Sequence, residues 1–463
     1  MKLRGLLIVA VLLTVLAPTP AFSQDQPWLA DRKYTIGPGY RVGNFELHPG
    51  FAAEFGYDSN FFLRAGEGDA AGDPTGALRL RITPSFSFST LGPQRRAGGG
   101  NQAPSPLEVV GGLSGTYNEF FGISGSDTAK MSAQRNISGQ ADLRLAINSG
   151  HPWSGTFATT FARLFQPSQE GNVDRNFDRL VPTAGAELVW TPNNGMLDWR
   201  LGYNVTGTIF EDSEFGVLTN FNHTLQMRGR WRFLPRSALL YDARFSLIHY
   251  INGGDKTGSM PIRAQLGYNG LITPSFGTLL MLGWGSSFYE PSSRESESEV
   301  QDFDSLIAQA EIRYFLTPRR SADPTATSSS MSAFALGFTR DFHDAYVGSY
   351  FERDRGYLKL TYYLGGKLVI ILDAGGGALV NPSIKVPGID KSGWTDIRID
   401  AAGFAEYRFK DAFGINATLR YGTRISDESL PAREQPSNPS SPIVQDKLGW
   451  QQFEAYLGVR WLM

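Results

Sequence analysis

Residues 197–206 read LDWRLGYNVT and alternate strictly between apolar and polar side chains. One set of alternate positions carries Leu, Trp, Leu, Tyr and Val, and the other carries Asp, Arg, Gly, Asn and Thr. Because successive side chains of a β-strand point to opposite faces, this pattern predicts a strand with one apolar and one polar face. Residues 225–233 (LQMRGRWRF), 308–314 (AQAEIRY) and 397–400 (IRID) repeat the pattern.

Alternation of this kind is also found in soluble antiparallel sandwiches, which bury their apolar face. The length and the spacing of the segments distinguish a soluble sandwich from a membrane-spanning barrel. The alternating segments run for about ten residues or more, as a tilted membrane-crossing strand requires. Aromatic residues near the segment ends (Trp190, Trp231, Phe233, Tyr314 and Phe315) predict interfacial girdles. We therefore predict an all-β protein, a transmembrane antiparallel β-barrel, rather than a secreted β-sandwich or a solenoid.

Turn residues divide the chain into about 18 strand candidates, an even number as in bacterial barrels. Their predicted starts lie near Phe45, Ala77, Leu107, Arg135, Trp153, Phe177, Met196, Asn220, Ser237, Ser259, Phe276, Asp302, Met331, Tyr346, Lys367, Trp394, Phe413 and Trp450.

The connections between these candidates alternate in length. Residues 234–236 form a short one, whereas residues 58–76 and 426–449 form long ones. Short turns belong on the periplasmic side of such barrels and long loops outside, which puts both ends of the barrel in the periplasm. Residues 91–106 and 317–330 break the alternation, because both are long, rich in Pro, Gly or Ser, and periplasmic by this rule. They are interpreted as linkers or as contacts for a partner.

The first residues resemble a secretory leader. Lys2 and Arg4 form a basic region, and residues 5–17 are apolar apart from one Thr. In residues 21–23 (AFS), the small residues Ala and Ser occupy the −3 and −1 positions of a signal-peptidase cleavage site. An uncleaved anchor would need ~20 apolar residues, more than are present here. We therefore predict a signal peptide at 1–23, a periplasmic N-terminal segment at 24–44 and an outer-membrane barrel at 45–463.

The last strand candidate carries a second export signal. Phe453, Leu457 and Trp461 share one of its faces, and the strand must pair with the first one to close the barrel. Gly458, Trp461 and Met463 resemble the C-terminal signal read by the barrel assembly machinery, although Phe is commoner than Met at the final position. This machinery and outer-membrane lipid are therefore predicted partners.

A barrel of this size can hold a water-filled lumen, and its charged side chains are expected to face inward. An arginine that faced lipid at mid-depth would cost ~2–4 kcal/mol. The predicted pore-lining residues are Arg79, Arg81, Asp142, Arg144, Asp198, Arg200, Arg228, Arg230, Arg232, Asp242, Arg244, Arg263, Glu311, Arg313, Asp396, Arg398 and Asp400. They predict a mixed-charge wall suited to hydrated polar or anionic solutes. The alternative is an Arg–carboxylate network that only stiffens the wall.

The sequence offers few residues for other chemistry. It has no Cys, and its five His form no close metal-ligand pair, so no cofactor, no metal and no catalytic site are predicted. A net charge of −2 argues against nucleic-acid binding. A Ser–His pair on neighbouring strands would still permit a barrel enzyme, which stays as the least favoured alternative. Residues 375–377 (GGG) predict a strand bend or a close approach inside the lumen.

Two short motifs carry a family resemblance. Residues 47–49 (LHP) followed by 57–62 (YDSNFF) resemble the opening of the β-barrel porin-2 family, and residues 350–354 (YFERD), followed by the strand at 357–364, are similar to a later stretch of it. The resemblance implies a barrel of a type that occurs with exopolysaccharide secretion systems. It therefore implies a conduit for export of a secreted polysaccharide, with a periplasmic polysaccharide-export component as a candidate partner. The alternative is a general diffusion porin for small hydrophilic solutes, favoured by the mixed-charge lumen.

Overall fold

The computed structural model of the protein describes residues 39–66, 73–91, 106–123, 128–166, 177–192, 195–251, 256–290, 301–316, 332–345, 349–364, 367–386, 389–410, 412–433 and 443–463. Within them the chain forms 18 long antiparallel strands, which with one short strand make a single 19-stranded sheet.

The long strands are numbered here in chain order. They are β1 (Phe45–Asp58), β2 (Ala77–Thr90), β3 (Leu107–Gly122), β4 (Asn136–Ile147), β5 (Trp153–Leu164), β6 (Arg179–Trp190), β7 (Leu197–Phe210), β8 (Asn220–Leu234), β9 (Ser237–Tyr250), β10 (Ser259–Thr273), β11 (Phe276–Tyr289), β12 (Phe303–Phe315), β13 (Ala333–Asp344), β14 (Tyr350–Leu364), β15 (Leu368–Asn381), β16 (Trp394–Lys410), β17 (Phe413–Ile425) and β18 (Trp450–Leu462). Most of the predicted starts fall within two residues of these bounds, and the largest offset is at β14, predicted to start at Tyr346.

The sheet closes on itself. Each long strand pairs with the next, and β18 pairs with β1 in a register that runs from Gly50↔Leu462 to Asp58↔Glu454. The short strand Tyr40–Val42 pairs with the first residues of β1, below the point where β18 ends. It thus covers a stretch of strand edge that would otherwise stay unpaired. The predicted fold class and the predicted pairing of the last strand with the first are both confirmed.

The two faces of the sheet differ as the alternation predicts. On β7, Asp198 is 5% exposed whereas Tyr203 on the other face is 49% exposed, and on β18 Leu457 is 69% exposed. Large apolar side chains are exposed in the same way on most strands around the ring. Soluble proteins rarely expose so continuous an apolar surface, whereas a bilayer solvates it. The outer face of the barrel is therefore its lipid-contacting face.

The two ends of the barrel carry different connections. At the end where β1 starts, β8 and β9 are joined by residues 235–236, and β10 and β11 by residues 274–275. The connections at the opposite end hold additional elements. These are the α-helix Thr128–Ser132, the 3-10 helix Ser213–Leu218, and two small hairpins formed by Ile384–Val386 with Ile389–Lys391 and by Ser429–Arg433 with Ile443–Lys447. None of the helices in the described residues combines the length and hydropathy needed to cross a bilayer.

One predicted girdle residue is placed on the other face. Trp190, Trp231, Phe233 and Tyr314 lie on the outer face, but Phe315 lies on the inner face against Gly277. The reason is the strand period itself, because Tyr314 takes the outward position and its neighbour must then point inward. The predicted leader and the Pro-, Gly- or Ser-rich parts of the connections at 92–105 and 317–331 lie outside the described residues.

Candidate pore lining and constriction

Most charged side chains of the strands lie on the inner faces, where basic residues outnumber acidic ones. The basic ones are Arg79, Arg81, Arg144, Arg179, Arg200, Arg228, Arg230, Arg232, Arg244, Arg263, Arg313, Arg353, Arg355, Lys359, Arg398, Arg408, Arg420, Arg424 and Arg460. The acidic ones are Glu46, Glu54, Asp58, Glu108, Asp142, Glu187, Asp198, Asp242, Glu311, Asp341, Asp373, Asp396, Asp400, Glu406 and Glu454. Every residue named above as pore-lining is placed on these inner faces.

The first charge network spans β6, β7 and β8. Arg228 lies 2.7 Å from the Glu187 carboxylate, and Arg200 lies 3.3 Å from the same group. Arg200 also contacts Asp198 at 2.7 Å, while Arg230 is 3.9 Å from Asp198. Glu187 was missed by sequence reasoning, because the inner face of β6 otherwise carries mainly small or apolar residues. The network holds two carboxylates against three guanidinium groups, so it keeps an excess of positive charge.

The arginine ladder of β8 is graded along the strand. Arg228 is closely paired and Arg230 only loosely, as described above. For Arg232 no carboxylate lies within 4.0 Å in the described part of the chain, and its side chain is exposed. Ion pairing therefore weakens towards the end of β8 at the short turn, where Arg232 is exposed.

A second network lies on β14, β15 and β16. Arg355 bridges the carboxylates of Asp373, at 2.6 Å, and Asp400. Arg353 reaches Asp400 at 3.4 Å, and Lys359 reaches Asp373 at 3.7 Å. Only Asp400 of this group was predicted. The alternation on β14 was obscured because its outer end, YFERDR, carries charged residues on both faces.

Several other predicted lining residues are paired across strands. Asp396 accepts hydrogen bonds from Trp394 at 3.1 Å and from Arg424. Glu311 accepts one from the Tyr357 hydroxyl at 2.9 Å and contacts Arg313. These contacts agree with the view that part of the charged wall is structural.

Residues 58–60, within the YDSNFF motif, form a clasp across the β1–β18 seam. Gln452 donates to both carboxylate oxygens of Asp58 at 3.0 Å. The Asn60 amide donates to the Gln451 carbonyl at 2.8 Å. The motif behind the family resemblance thus has a structural role here, since it fastens the first outer loop to the last strand.

The residues that follow turn inward. The side chains of Phe61 and Phe62 are at most 3% exposed and pack in one apolar cluster. The other members of that cluster are Ala77, Phe120, Met131 and Phe165. Because Phe120 lies on the inner face of β3, the first outer loop covers part of the lumen wall at the outer end.

The outer end of the β13–β14 hairpin also bends inward, from a different part of the wall. Pairing of β13 with β12 stops at Ala308↔Arg340, and beyond it β13 crosses the inner faces of its neighbours. Asp344 accepts a hydrogen bond from Tyr250 of β9 and lies 3.5 Å from Lys256. Burial lowers the pKa of Lys256, and the adjacent Asp344 carboxylate opposes that shift. The hairpin is thereby tied to strands that are not its sequence neighbours.

An aromatic stack holds this hairpin against the wall. The Phe342 ring is 1% exposed and stacks on Phe303 at 4.1 Å between centroids. The Arg263 guanidinium lies 4.0 Å above the Phe342 ring and contacts Asp341 at 2.9 Å. Gly285 leaves room for the ring, since a Cβ there would lie 2.6 Å from it. Phe342, Arg263 and Phe303 therefore fix an inward-bent element that narrows the outer part of the lumen.

A closed 18-stranded barrel with a lipid-facing apolar surface, a charged inner wall and inward-turned outer segments is a porin-like barrel of the bacterial outer membrane.

Comparisons with known proteins were made on sequence and on structure. No protein-family model matches the sequence, and no curated protein matches it. Among solved structures, the chain is similar to OccAB4 of Acinetobacter baumannii, with 12% identity, a TM-score of 0.46, and coverage of 92% of this chain and 100% of that one. The chain is also similar to OccK7 (OpdD) of Pseudomonas aeruginosa, with 12% identity, a TM-score of 0.44, and coverage of 90% of this chain and 98% of that one. A third similar structure is a bacterial polysaccharide outer membrane secretin, with 12% identity, a TM-score of 0.32, and coverage of 91% of this chain and 100% of that one.

Proposed function

We propose that this barrel is a passive outer-membrane channel for hydrated anionic cargo. The observation that carries the proposal is the excess of arginine over carboxylate on the inner faces of the strands, in a chain whose net charge is −2. The lumen is thus more positive than the protein as a whole. A channel wall of one prevailing sign raises the local concentration of ions of the other sign. No catalysis and no cofactor are part of this proposal.

Within that class, the cargo we propose is a secreted polysaccharide that leaves the cell. The support is the resemblance at residues 57–62 and 350–354 to a family associated with exopolysaccharide secretion. The barrel assembly machinery, outer-membrane lipid and a periplasmic polysaccharide-export component are the partners proposed with it.

A second candidate, a diffusion porin for small hydrophilic solutes, is favoured by a different observation. The inward-bent β13–β14 hairpin and the first outer loop reduce the free cross-section at the outer end. A narrowed lumen suits small solutes, whereas a polymer must either thread past these segments or displace them.

The channel is tested by measuring its ion selectivity. Purified protein is inserted into planar bilayers under a KCl gradient, and we expect a reversal potential of the sign that marks anion preference. Replacing Arg228, Arg230 and Arg232 together by Gln should reduce that preference, while replacing the same three by Lys should preserve it. Cation preference of the unmodified protein, or no conductance at all, would refute the proposal.

The cargo is tested by deleting the gene in its host. Loss of surface polysaccharide with normal uptake of small anions supports the export conduit. Normal polysaccharide with reduced uptake of small anions supports the porin instead.

A further inference from the structure

Gly377, in the triple glycine of β15, lines a shallow depression in the lumen wall with Arg353, Arg355, Arg398 and Asp400, and Gly375 lies beneath the Arg355 guanidinium. Gly375 and Gly377 lie on the inner face, and Gly377 is paired with Arg355 on one side and with Arg398 on the other. A Cβ on Gly375 would lie 2.6 Å from the Arg355 guanidinium, and one on Gly377 would lie 1.7 Å from the Asp354 carbonyl oxygen. No larger residue fits these two positions without displacing its neighbours.

Guanidinium groups surround this depression. Arg353 and Arg355 stand on β14, and Arg398 stands on β16 across the glycines. Of the nearby carboxylates, Asp373 is shared by Arg355 and Lys359, while Asp400 is shared by Arg355 and Arg353. The depression therefore keeps more positive than negative charge.

Arg353 is only partly paired. Its contact with Asp400, at 3.4 Å, is its one ion pair among the described residues, and it is longer than the 2.6 Å between Arg355 and Asp373. A guanidinium group has five N–H donors, so several of those on Arg353 stay available to a ligand. Its side chain is 16% exposed, which leaves it accessible from the lumen.

An aromatic ring completes the surroundings. Trp450 lies on the inner face of β18, with the Arg398 guanidinium 5.7 Å from its centroid. Aromatic rings of this kind offer an apolar face beside polar groups. A depression that has guanidinium groups and a half-buried aromatic ring beside it suits a ligand with both an anionic group and an apolar ring face.

We propose that this depression, formed by Arg353, Arg355, Arg398, Gly375, Gly377 and Trp450, is a binding site for the carboxylate of a uronic acid residue in an acidic saccharide. Arginine pairs with carboxylate through two parallel hydrogen bonds, which fixes the orientation of the sugar. The inference rests on the proposed function insofar as the saccharide must enter the lumen.

The site is tested by isothermal titration calorimetry of the full barrel in detergent micelles. The probe is hexagalacturonate, and maltohexaose is its neutral counterpart. We expect the unmodified protein to bind the acidic oligomer and not the neutral one. Arg353→Gln should weaken binding about tenfold, because it removes a charge-assisted pair. Arg144→Gln is the matched control, an inner-face arginine on the opposite wall, and should change affinity less than about twofold.

A second pair of variants tests the role of Gly375 without removing charge. Gly375→Ala should displace the Arg355 guanidinium and weaken binding, whereas Gly202→Ala, where a Cβ finds its nearest neighbours at 3.8 Å, should not. Heat-modified gel migration checks that each variant is folded. Equal weakening by Arg353→Gln and Arg144→Gln, or no binding of hexagalacturonate by the unmodified protein, would overturn the site.

The bilayer measurement separates this inference from the proposed function. If the barrel conducts anions but binds hexagalacturonate equally well with and without Arg353, the proposed site is refuted and the proposed channel is supported. If the barrel binds the oligomer through Arg353 but does not conduct, the proposed site is supported and the proposed channel is refuted.

Discussion

At the scale of single residues, the alternation of side chains decides which surface each residue meets. Leu201 and Arg200 are neighbours on β7, yet Leu201 is exposed on the outer face and Arg200 contacts Asp198 inside at 2.7 Å. This placement could be predicted from the sequence, because the period of two is unbroken in β7. The same reasoning was insufficient for Arg353 and Arg355. Their strand is charged on both faces where it turns away from lipid.

Substitutions at Leu201 and Arg200 test the assignment of these residues to the outer and inner faces. Leu201→Arg should impair assembly, since it puts a charge in the lipid at a cost of ~2–4 kcal/mol. Arg200→Leu should assemble, because its site borders a wet lumen and Arg230 remains near Asp198. The measurement is the fraction of heat-modifiable protein in outer-membrane preparations. Equal yields from the two variants would contradict the assignment of faces.

At the scale of elements, strand starts could be predicted well but inward bending could not. Turn residues mark where a strand ends, whereas nothing local in the sequence shows that β13 leaves β12 at Arg340. The contacts of the bent part are non-local: Arg263 of β10 lies 2.9 Å from Asp341, and Tyr250 of β9 donates to Asp344.

The hairpin offers a prediction about channel size. Phe342→Ala removes the buried ring at a cost of about 3 kcal/mol, as expected for truncation of a packed aromatic side chain. The hairpin should then detach from Phe303 and Arg263, and single-channel conductance in bilayers should rise. Phe338→Ala is the control, because Phe338 lies on the outer face of the same strand and is 41% exposed. An unchanged conductance for Phe342→Ala would show that the hairpin does not limit ion flow.

At the scale of the whole molecule, closure of the barrel depends on one seam. Every other neighbouring pair of strands is joined by a connection in the chain, whereas β1 and β18 meet only through contacts between distant residues. The need for closure could be predicted from the pattern of strands. The clasp of Asp58 and Asn60 could not, because its partners, Gln452 and Gln451, are almost 400 residues away in the chain.

The clasp is tested by Asn60→Ala. The Asn60 side chain donates to the carbonyls of Gln451 and Arg64, both at 2.8 Å, and accepts from the Arg64 amide at 3.0 Å. Losing these bonds at a site that is 1% exposed should destabilise the barrel by about 3 kcal/mol. The temperature at which the folded band disappears in a gel-shift series should fall. Asn269→Ala, on the inner face of β10, should leave that temperature unchanged.

The inward bend of β13 also determines what an immune system can recognise on the cell. In an extended loop, the residues around Phe342 would be a surface epitope, but in this protein the ring is 1% exposed and Asp344 accepts a hydrogen bond from Tyr250 of β9. Antibodies raised against a free peptide of residues 338–345 should therefore bind denatured protein and fail to stain intact cells. A segment hidden in this way is also protected from phage and from surface proteases.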